Sequence, residues 1–428
     1  MNRTSLINYF INQYNFTRYL EIGVYNEAHN FCHIQCDHKV GVDVNPVTTF
    51  CGSSDEFFKM NNERFDLIFI DGLHTEQQVL KDIRNAFTCL TEGGVIILHD
   101  CLPASDWHQR EGEQFIDGEE WNGTVWKAAL RVFNETVFHC TVVNDDYGCG
   151  IIDTNKKQTP LQLNLPVNLT YDEHFPLLLR YKMESTDFLK HQVKVFYHLA
   201  CLNNWQQVFD EQIQQLAQHL FTTIHLTVLG TKEDQSKAIL MIRNLGITVN
   251  LIFESDNLAC YEQPAMLAIQ EHVRDNSGFV LYLHSKGVSN VLSPVKTNWR
   301  RLMMNQLIAN SSHCLQQLPY YDAIGVNWCD SPPHFSGNFW YAATGYLRSL
   351  KSFQTFYRNN QPAFPDPYDP GRLNCEFWIG SSEKLPNILS LVCRNVNFYE
   401  CGDNFWREHL NGEFVRGSTI GSQSSELS

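Results

Sequence analysis

The chain has no long apolar run. No stretch approaches 18 consecutive apolar residues, so no membrane-spanning helix is expected. Its opening segment, "MNRTSLINYFINQYNFTRYLEIG", has no extended apolar core followed by a cleavage site. Positive charge is scarce as well: 32 Lys and Arg against 47 Asp and Glu give a formal net charge of -15. With no broad basic field to meet phosphates, no nucleic-acid partner is expected. The 14 cysteines are scattered, many in apolar surroundings such as those of Cys89 and Cys201. We therefore expect reduced thiols and a cytoplasmic protein. The tightest group, Cys32, His33, Cys36 and His38, lacks a distant second pair with ligand spacing, which argues against structural zinc. There is no internal repeat and no low-complexity block.

What remains is an ordinary globular composition, 43% hydrophobic and 18% charged, over 428 residues. That length favours two domains. From Arg18 to about residue 153, short apolar strands alternate with helical segments. "RYLEIG", "KVGVDV", "FDLIFIDG" and "GGVIILHD" read as strands. Between the last two, Val79, Ile83, Ala86, Phe87 and Leu90 recur at helical spacing. This rhythm implies a parallel, doubly wound sheet with its functional loops at the strand C-termini. A polar stretch with three prolines, "NKKQTPLQLNLPVNLTYDEHFP", then breaks it. Alternation resumes at "VKVFYHLA", "IHLTVLG" and "FVLYLHSKG".

In the first half, a lone Gly23 follows strand one and Asp43 ends strand two. The glycine permits close backbone approach to a ligand, and the acid is placed for ribose hydroxyls. A G-x-G-x-x-G loop for a pyrophosphate is missing. An acidic, glycine-poor loop suits a cationic cofactor that has ribose but no phosphate. Asp71 and His74 follow one strand, His99 and Asp100 another, so these groups would converge with Glu21 and Asp43 on one edge. Any one acid alone could equally be a helix cap.

"YLEIGVYNEA", "VGVDV", "FDLIFIDGLHTEQQVLKDI" and "LTEGGVIILHDCLP" together resemble a class I S-adenosylmethionine-dependent methyltransferase of the sugar O-methyltransferase type. The resemblance implies a Rossmann-like domain over residues 1–155. By position, Glu21 and Gly23 would line the methionine end, Asp43 the ribose, and Ser54 or Asp55 the adenine side, with Asp71 also at the cofactor. It further implies a divalent cation such as magnesium held by Asp71, His99 and Asp100, and His74 or His99 as the base. "GEEWNGTVWKAAL" would face the substrate and "DYGCGII" form the closing hairpin.

In the second half, "LYLHSKGVS", "HFSGNFWYA" and "NCEFWIG" resemble GT-A-type glycosyltransferases. The resemblance implies a second α/β domain over residues 191–410 after a linker at 156–190, with a disordered polar tail at 411–428. It would take a nucleotide sugar as donor and a glycan as acceptor. Where relatives carry Asp-x-Asp, this chain has His284-Ser285-Lys286, suited to a metal-free cationic contact with a diphosphate. His198, His334, Ser336, Gly337 and Trp340 would hold donor or acceptor, and Glu376 would be the general base. Arg300 and Arg301 could meet phosphate or simply cover their helix. The fused reading is a bifunctional glycan-assembly enzyme. The alternative is an active methyltransferase with a non-catalytic, sugar-binding second module.

Overall fold

The apolar segments RYLEI, HKVGVD and FDLIFI become adjacent parallel strands, because each buries both faces and pairs in register with the next. The computed structural model describes residues 1–46, 49–116, 118–289, 293–359, 373–411 and 418–419. It comprises two compact units, Met1–Phe188 and Leu189–Ser428.

The first unit carries β1 (Arg18–Ile22), β2 (His38–Asp43), β3 (Phe50–Cys51), β4 (Phe65–Ile70), β5 (Leu90–Leu98), β6 (Phe138–Val143), β7 (Cys149–Lys157) and β8 (Lys182–Met183). They form one sheet in the order β3-β2-β1-β4-β5-β7-β6-β8, with β7 antiparallel to both its neighbours. Strand order reverses between β1 and β4, which opens a crevice beyond their C-terminal ends. The α-helices lying wholly within this unit, among the described residues, are α1 (Arg3–Tyr14), α2 (Ser54–Met60), α3 (Glu76–Cys89), α4 (Val125–Glu135) and α5 (Tyr171–Leu178). On α3 the buried residues Val79, Ile83 and Ala86 fall on one face, as their spacing predicts. They join Ile68, Ile96, Leu98, Trp126, Leu130 and Phe133 in the core.

The stretch 156–190, expected as a linker, is largely built into this unit. Helix α5 inserts Leu178, fully buried, into the core, a burial that contributes about 2 kcal/mol. Tyr171 and Phe175 meet the Trp126 ring edge-on at 6.2 and 5.5 Å. Strand β8 then extends the sheet beside β6. The apolar residues of this stretch follow no period of 2 or 3.6, so a polar, proline-bearing segment concealed them.

In the second unit the strands are β9 (Val193–Ala200), β10 (Thr223–Leu229), β11 (Thr248–Ser255), β12 (Phe279–His284), β13 (Ala323–Asp330), β14 (Pro333–Phe335), β15 (Trp340–Ala343), β16 (Ile388–Arg394) and β17 (Ser418–Thr419). Their order is β11-β10-β9-β12-β15-β13-β16-β17, with β14 paired to β13. The first four are parallel and alternate with the helices Trp205–Gln218, Lys232–Asn244 and Gln263–Asp275. Beyond them β15 runs antiparallel between β12 and β13. Here too the order reverses, between β9 and β12, so this α/β unit also has a crevice at its strand ends. Apart from Asn411 and β17, the tail expected to be disordered lies outside the described residues. Among those described, no helix is long and apolar enough to cross a membrane.

Candidate active site

At the C-terminal edge of the first sheet, a cleft of about 350 Å3 is lined by Glu21, Gly23, Asp71, His74, Asp100 and Trp121, among others. Its floor is the end of β4. The Asp71 backbone N–H donates to the Ile22 carbonyl at 2.8 Å, which draws β1 and β4 together. A Cβ on Gly23, whose φ is +89°, would lie 2.1 Å from the Asp71 carbonyl oxygen. Only glycine fits there.

Asp71 is the hub. Its Oδ1 lies 3.2 Å from His74 Nε2 and 3.1 Å from His99 Nδ1, and its Oδ2 accepts from Arg3 Nη1 at 2.9 Å. Burial would raise this carboxyl, but the His99 and His74 imidazoles hold it well below the usual carboxylate range. Asp100 Oδ2 lies 3.3 Å from His74 Nδ1 and 3.1 Å from His99 Nδ1. His99 Nε2 faces Asp146 Oδ1 at 3.5 Å. Burial works against the His99 cation, yet Asp71, Asp100 and Asp146 together push its pKa well up, so it is charged at neutral pH. His74 is also raised, with burial outweighed by its bond to Asp71 and the charge of Asp100. The Trp121 ring stacks on His74 at 5.3 Å.

The groups able to share a cation differ from the expected set. Ligand atoms of Asp71, His74 and Asp100 all lie within 4.8 Å of one another. His99 adjoins them, its Nδ1 at 3.1 Å from both Asp71 Oδ1 and Asp100 Oδ2 and its Nε2 turned to Asp146. Cys32, His33, Cys36 and His38 do not form such a group among the described residues. The His38 ring pairs with Glu63, and His33 with the Ala28 carbonyl.

On the β1 side of the cleft, Glu21 is 2% exposed, and its Oε2 accepts from the Tyr19 hydroxyl at 2.6 Å and from Asn30 Nδ2 at 3.0 Å. Burial pushes its pKa up to about 7, against the lowering effect of those two bonds. Asp43, at the end of β2, accepts from the Tyr25 and Asn45 backbone N–H groups, each at 2.8 Å. Ser54 and Asp55 are not drawn into the cleft. They open α2, where Gln78 reaches both and Lys81 pairs with Asp55.

Arg3 escaped the sequence reading, whereas Asn122 lies in the segment expected to face the substrate and Asp146 and Tyr147 in the expected closing hairpin, without being singled out as site residues. Arg3 arrives on α1, and Asp146-Tyr147 form the β6–β7 turn, with φ of +49° and +60°. Because β6 runs parallel to β5, its hairpin must return at the same edge as Asp100, and that was the available signal.

In the second unit, His198 and His284 are register partners at the ends of β9 and β12. His198 is buried and bonded to Thr227 Oγ1 at 2.9 Å, and burial pushes it down to about 4. His284 Nε2 donates to the Gly337 carbonyl at 3.0 Å. Burial lowers it too, with Lys286 adding to the effect against Glu262 and Glu376. Both rings are therefore neutral at pH 7. Lys286 Nζ rests 3.8 Å from the Trp299 ring centroid. Arg300 is buried, bracing the Lys286 carbonyl at 3.2 Å and Glu211 at 3.1 Å. Trp340 is fully buried, with Nε1 donating to Asn338 Oδ1, so it is core and not a stacking face for a sugar. Glu376 accepts from the Gly337 N–H, and His334 Nε2 lies 4.0 Å from it. The Ser336 backbone N–H donates to the Asn327 carbonyl at 3.0 Å, which fixes this turn. Glu262, unrecognised in the sequence, accepts from the Tyr282 hydroxyl at 2.8 Å and Asn338 Nδ2 at 2.7 Å, and lies 3.8 Å from His284 Nδ1.

Residues 20–101 match a family described as a methyltransferase domain, and residues 195–386 one described as a domain of unknown function (DUF8361). No curated protein matches the chain. Among solved structures it is similar to the O-methyltransferase TomG from Streptomyces achromogenes, in complex with S-adenosylmethionine. The identity is 12%, over 36% of this chain and 79% of that one, with a TM-score of 0.27. An O-methyltransferase from Bacillus cereus, in complex with S-adenosylhomocysteine, is similar at 14% identity over 35% and 80%, with a TM-score of 0.26. Glucosyl-3-phosphoglycerate synthase from Mycobacterium tuberculosis is similar at 14% identity over 41% and 68%, with a TM-score of 0.22. The methyltransferase-domain match thus falls on the Rossmann-like sheet of the first unit. The match to the domain of unknown function falls on the second, α/β unit.

Proposed function

We propose that the first unit is an S-adenosylmethionine-dependent O-methyltransferase acting on a sugar hydroxyl. The observation that carries this is the meeting of Asp71, His74 and Asp100 in a cleft at the strand-order reversal of a methyltransferase-family sheet. Glu21 and Gly23 face the methionine end of the cofactor, and Asp43 its ribose. Bound there, S-adenosylmethionine supplies an electrophilic methyl: the oxygen–carbon bond forms as the sulfur–carbon bond breaks, and S-adenosylhomocysteine leaves. His74 takes the hydroxyl proton, and Asp71 and Asp100 stabilise the imidazolium that results. His99 stays a fixed cation that holds three carboxylates in place.

The same residues fit a divalent cation. Asp71, His74 and Asp100 would hold it, and two carboxylates with an imidazole suit manganese better than magnesium. With His74 then a ligand and not the base, such an ion would itself lower the pKa of the hydroxyl.

For the second unit the reading is a GT-A-like transferase that takes a nucleotide sugar and a glycan acceptor. Its support is the polar set of His284, Glu262, Asn338 and Glu376 around Gly337, beside the β9–β12 reversal. A non-catalytic sugar-binding module is favoured by one observation, that no carboxylate pair ends β12.

The test is incubation of the full chain with methyl-labelled S-adenosylmethionine and a panel of methyl glycosides, with and without EDTA. Label should appear on a hydroxyl oxygen and be lost in Asp100→Asn. Transfer unaffected by that change would remove Asp100 from the site.

A further inference from the structure

At the end of β12, two hydrogen-bond acceptors of the second unit face each other with no donor between them. Glu262, just before the helix Gln263–Asp275, takes both of its bonds on one oxygen. Its Oε2 accepts from the Tyr282 hydroxyl at 2.8 Å and from Asn338 Nδ2 at 2.7 Å. Its Oε1 takes none, and lies 3.8 Å from His284 Nδ1, beyond hydrogen-bond reach. The other nitrogen of that ring, Nε2, lies 3.0 Å from the Gly337 carbonyl. A carbonyl can only accept, so the proton of the neutral imidazole sits on Nε2 and Nδ1 is a bare acceptor. Burial works against ionising Glu262, but the adjoining His284 and His198 and the bonds from Tyr282 and Asn338 outweigh it, so the carboxyl is charged.

Both acceptors are open to solvent. The Glu262 side chain is 20% exposed and that of His284 14%. Neither Oε1 nor Nδ1 is among the unpaired polar atoms sealed inside the described residues, unlike the nearby Trp299 Nε1. The pair is also held in place. Phe339 meets the His284 ring edge-on at 5.1 Å. Gly337, at φ +92°, packs so closely that a Cβ would lie 2.8 Å from Met303 Sδ and 2.9 Å from Trp299 Nε1. Its N–H is taken by Glu376, so the carbonyl that orients His284 belongs to a turn anchored on both sides.

We infer that one O–H of the ligand donates between Glu262 Oε1 and His284 Nδ1, so that the second unit selects its sugar by a single hydroxyl. This rests on the sugar reading of the second unit, and holds for a transferase and for a binding module alike. An oxygen placed about 2.8 Å from each of two acceptors 3.8 Å apart directs its proton at both. The bond to the carboxylate is charge-assisted and is the stronger of the two. A group of the same size without a proton leaves both acceptors unpaired, and is rejected for that reason. Glu262 and His284 are thus specificity-determining residues.

The experiment titrates the full chain by calorimetry with UDP-glucose, UDP-galactose and GDP-mannose, each beside its free nucleoside diphosphate and the methyl glycoside of its sugar. The monodeoxyfluoro analogues of each sugar follow, in which fluorine keeps the size of a hydroxyl but has no proton. For the sugar that binds, one analogue should lose affinity roughly 10- to 100-fold. Glu262→Gln keeps the shape, but its amide N–H turns to His284 Nδ1 and fills the gap from within. It should bind the parent sugar at the level of that analogue. Equal affinity of the wild-type protein for the parent and every analogue overturns the inference alone, and needs no variant that folds. A Glu262→Gln protein that still separates parent from analogue as the wild type does also overturns it. No binding of any nucleotide, conjugate or glycoside overturns both this inference and the sugar reading beneath it.

Discussion

Glu21 makes cofactor affinity depend on pH in a defined direction. It is buried, its pKa stands near 7, and both of its hydrogen bonds fall on Oε2, which leaves Oε1 to a ligand. A cationic cofactor binds the ionised form. With a pKa of about 7, roughly one tenth of the carboxyl is ionised at pH 6 and roughly nine tenths at pH 8. The dissociation constant for S-adenosylmethionine should therefore fall about tenfold between those values, or about 1.4 kcal/mol, and level off above. Glu21→Gln keeps the shape and both donors but cannot ionise, so its affinity should be weaker at pH 8 and flat in this window. Calorimetric titration of both proteins at pH 6, 7 and 8 measures this. The ligand's own titration is common to the two and cancels in their ratio. A pH-independent ratio would refute the reasoning, since it would mean that Glu21 keeps one protonation state throughout.

Other consequences are as direct. Asp100→Asn should reduce methyl transfer about 100-fold while changing S-adenosylmethionine affinity less than twofold, as read from initial rates and calorimetry. Gly23→Ala should destabilise the first unit by more than about 2 kcal/mol, seen as a lowered melting temperature, because its Cβ overlaps the Asp71 carbonyl. His198 is neutral in the fold, with its pKa depressed to about 4 against 6.5 when unfolded. Its contribution is thus present above pH 6.5 and lost as pH falls towards 4, up to about 3 kcal/mol. Denaturant midpoints of the second unit at pH 7.5 and pH 5 should show the loss, and His198→Gln should flatten it. Lys286→Met keeps contact with Trp299 but removes the charge, and should weaken uridine diphosphate binding about tenfold with little response to added manganese. Strong manganese dependence would contradict a metal-free contact.

The residues that could be read in advance share one trait: they end parallel strands. Asp71, His74, His99 and Asp100 follow apolar runs, and in a parallel sheet all such ends meet at one edge, so convergence needed no tertiary knowledge. Arg3 and Asp146 depend on where a helix and a hairpin fold back, which no local period encodes. Glu262 caps a helix after an irregular turn in which Tyr261 has a φ of +44°, so nothing in its neighbourhood set it apart. Trp340 misled for the opposite reason. Aromatic density signals a sugar platform and a packed core alike, and here β15 places the ring inside the sheet's core. His74 and His99 both reach the Asp71 and Asp100 carboxylates, and what sets them apart is the Trp121 stack on one ring and the Asp146 turn against the other, neither of which a local pattern encodes.

The central claim is that the first unit binds S-adenosylmethionine at the β1–β4 reversal. Calorimetric titration of S-adenosylmethionine into the full chain, beside Asp43→Ala, tests it most directly. The account predicts one site per chain, with affinity weakened at least tenfold when the ribose-facing carboxylate is removed. Absence of binding, or binding untouched by Asp43→Ala, would contradict it.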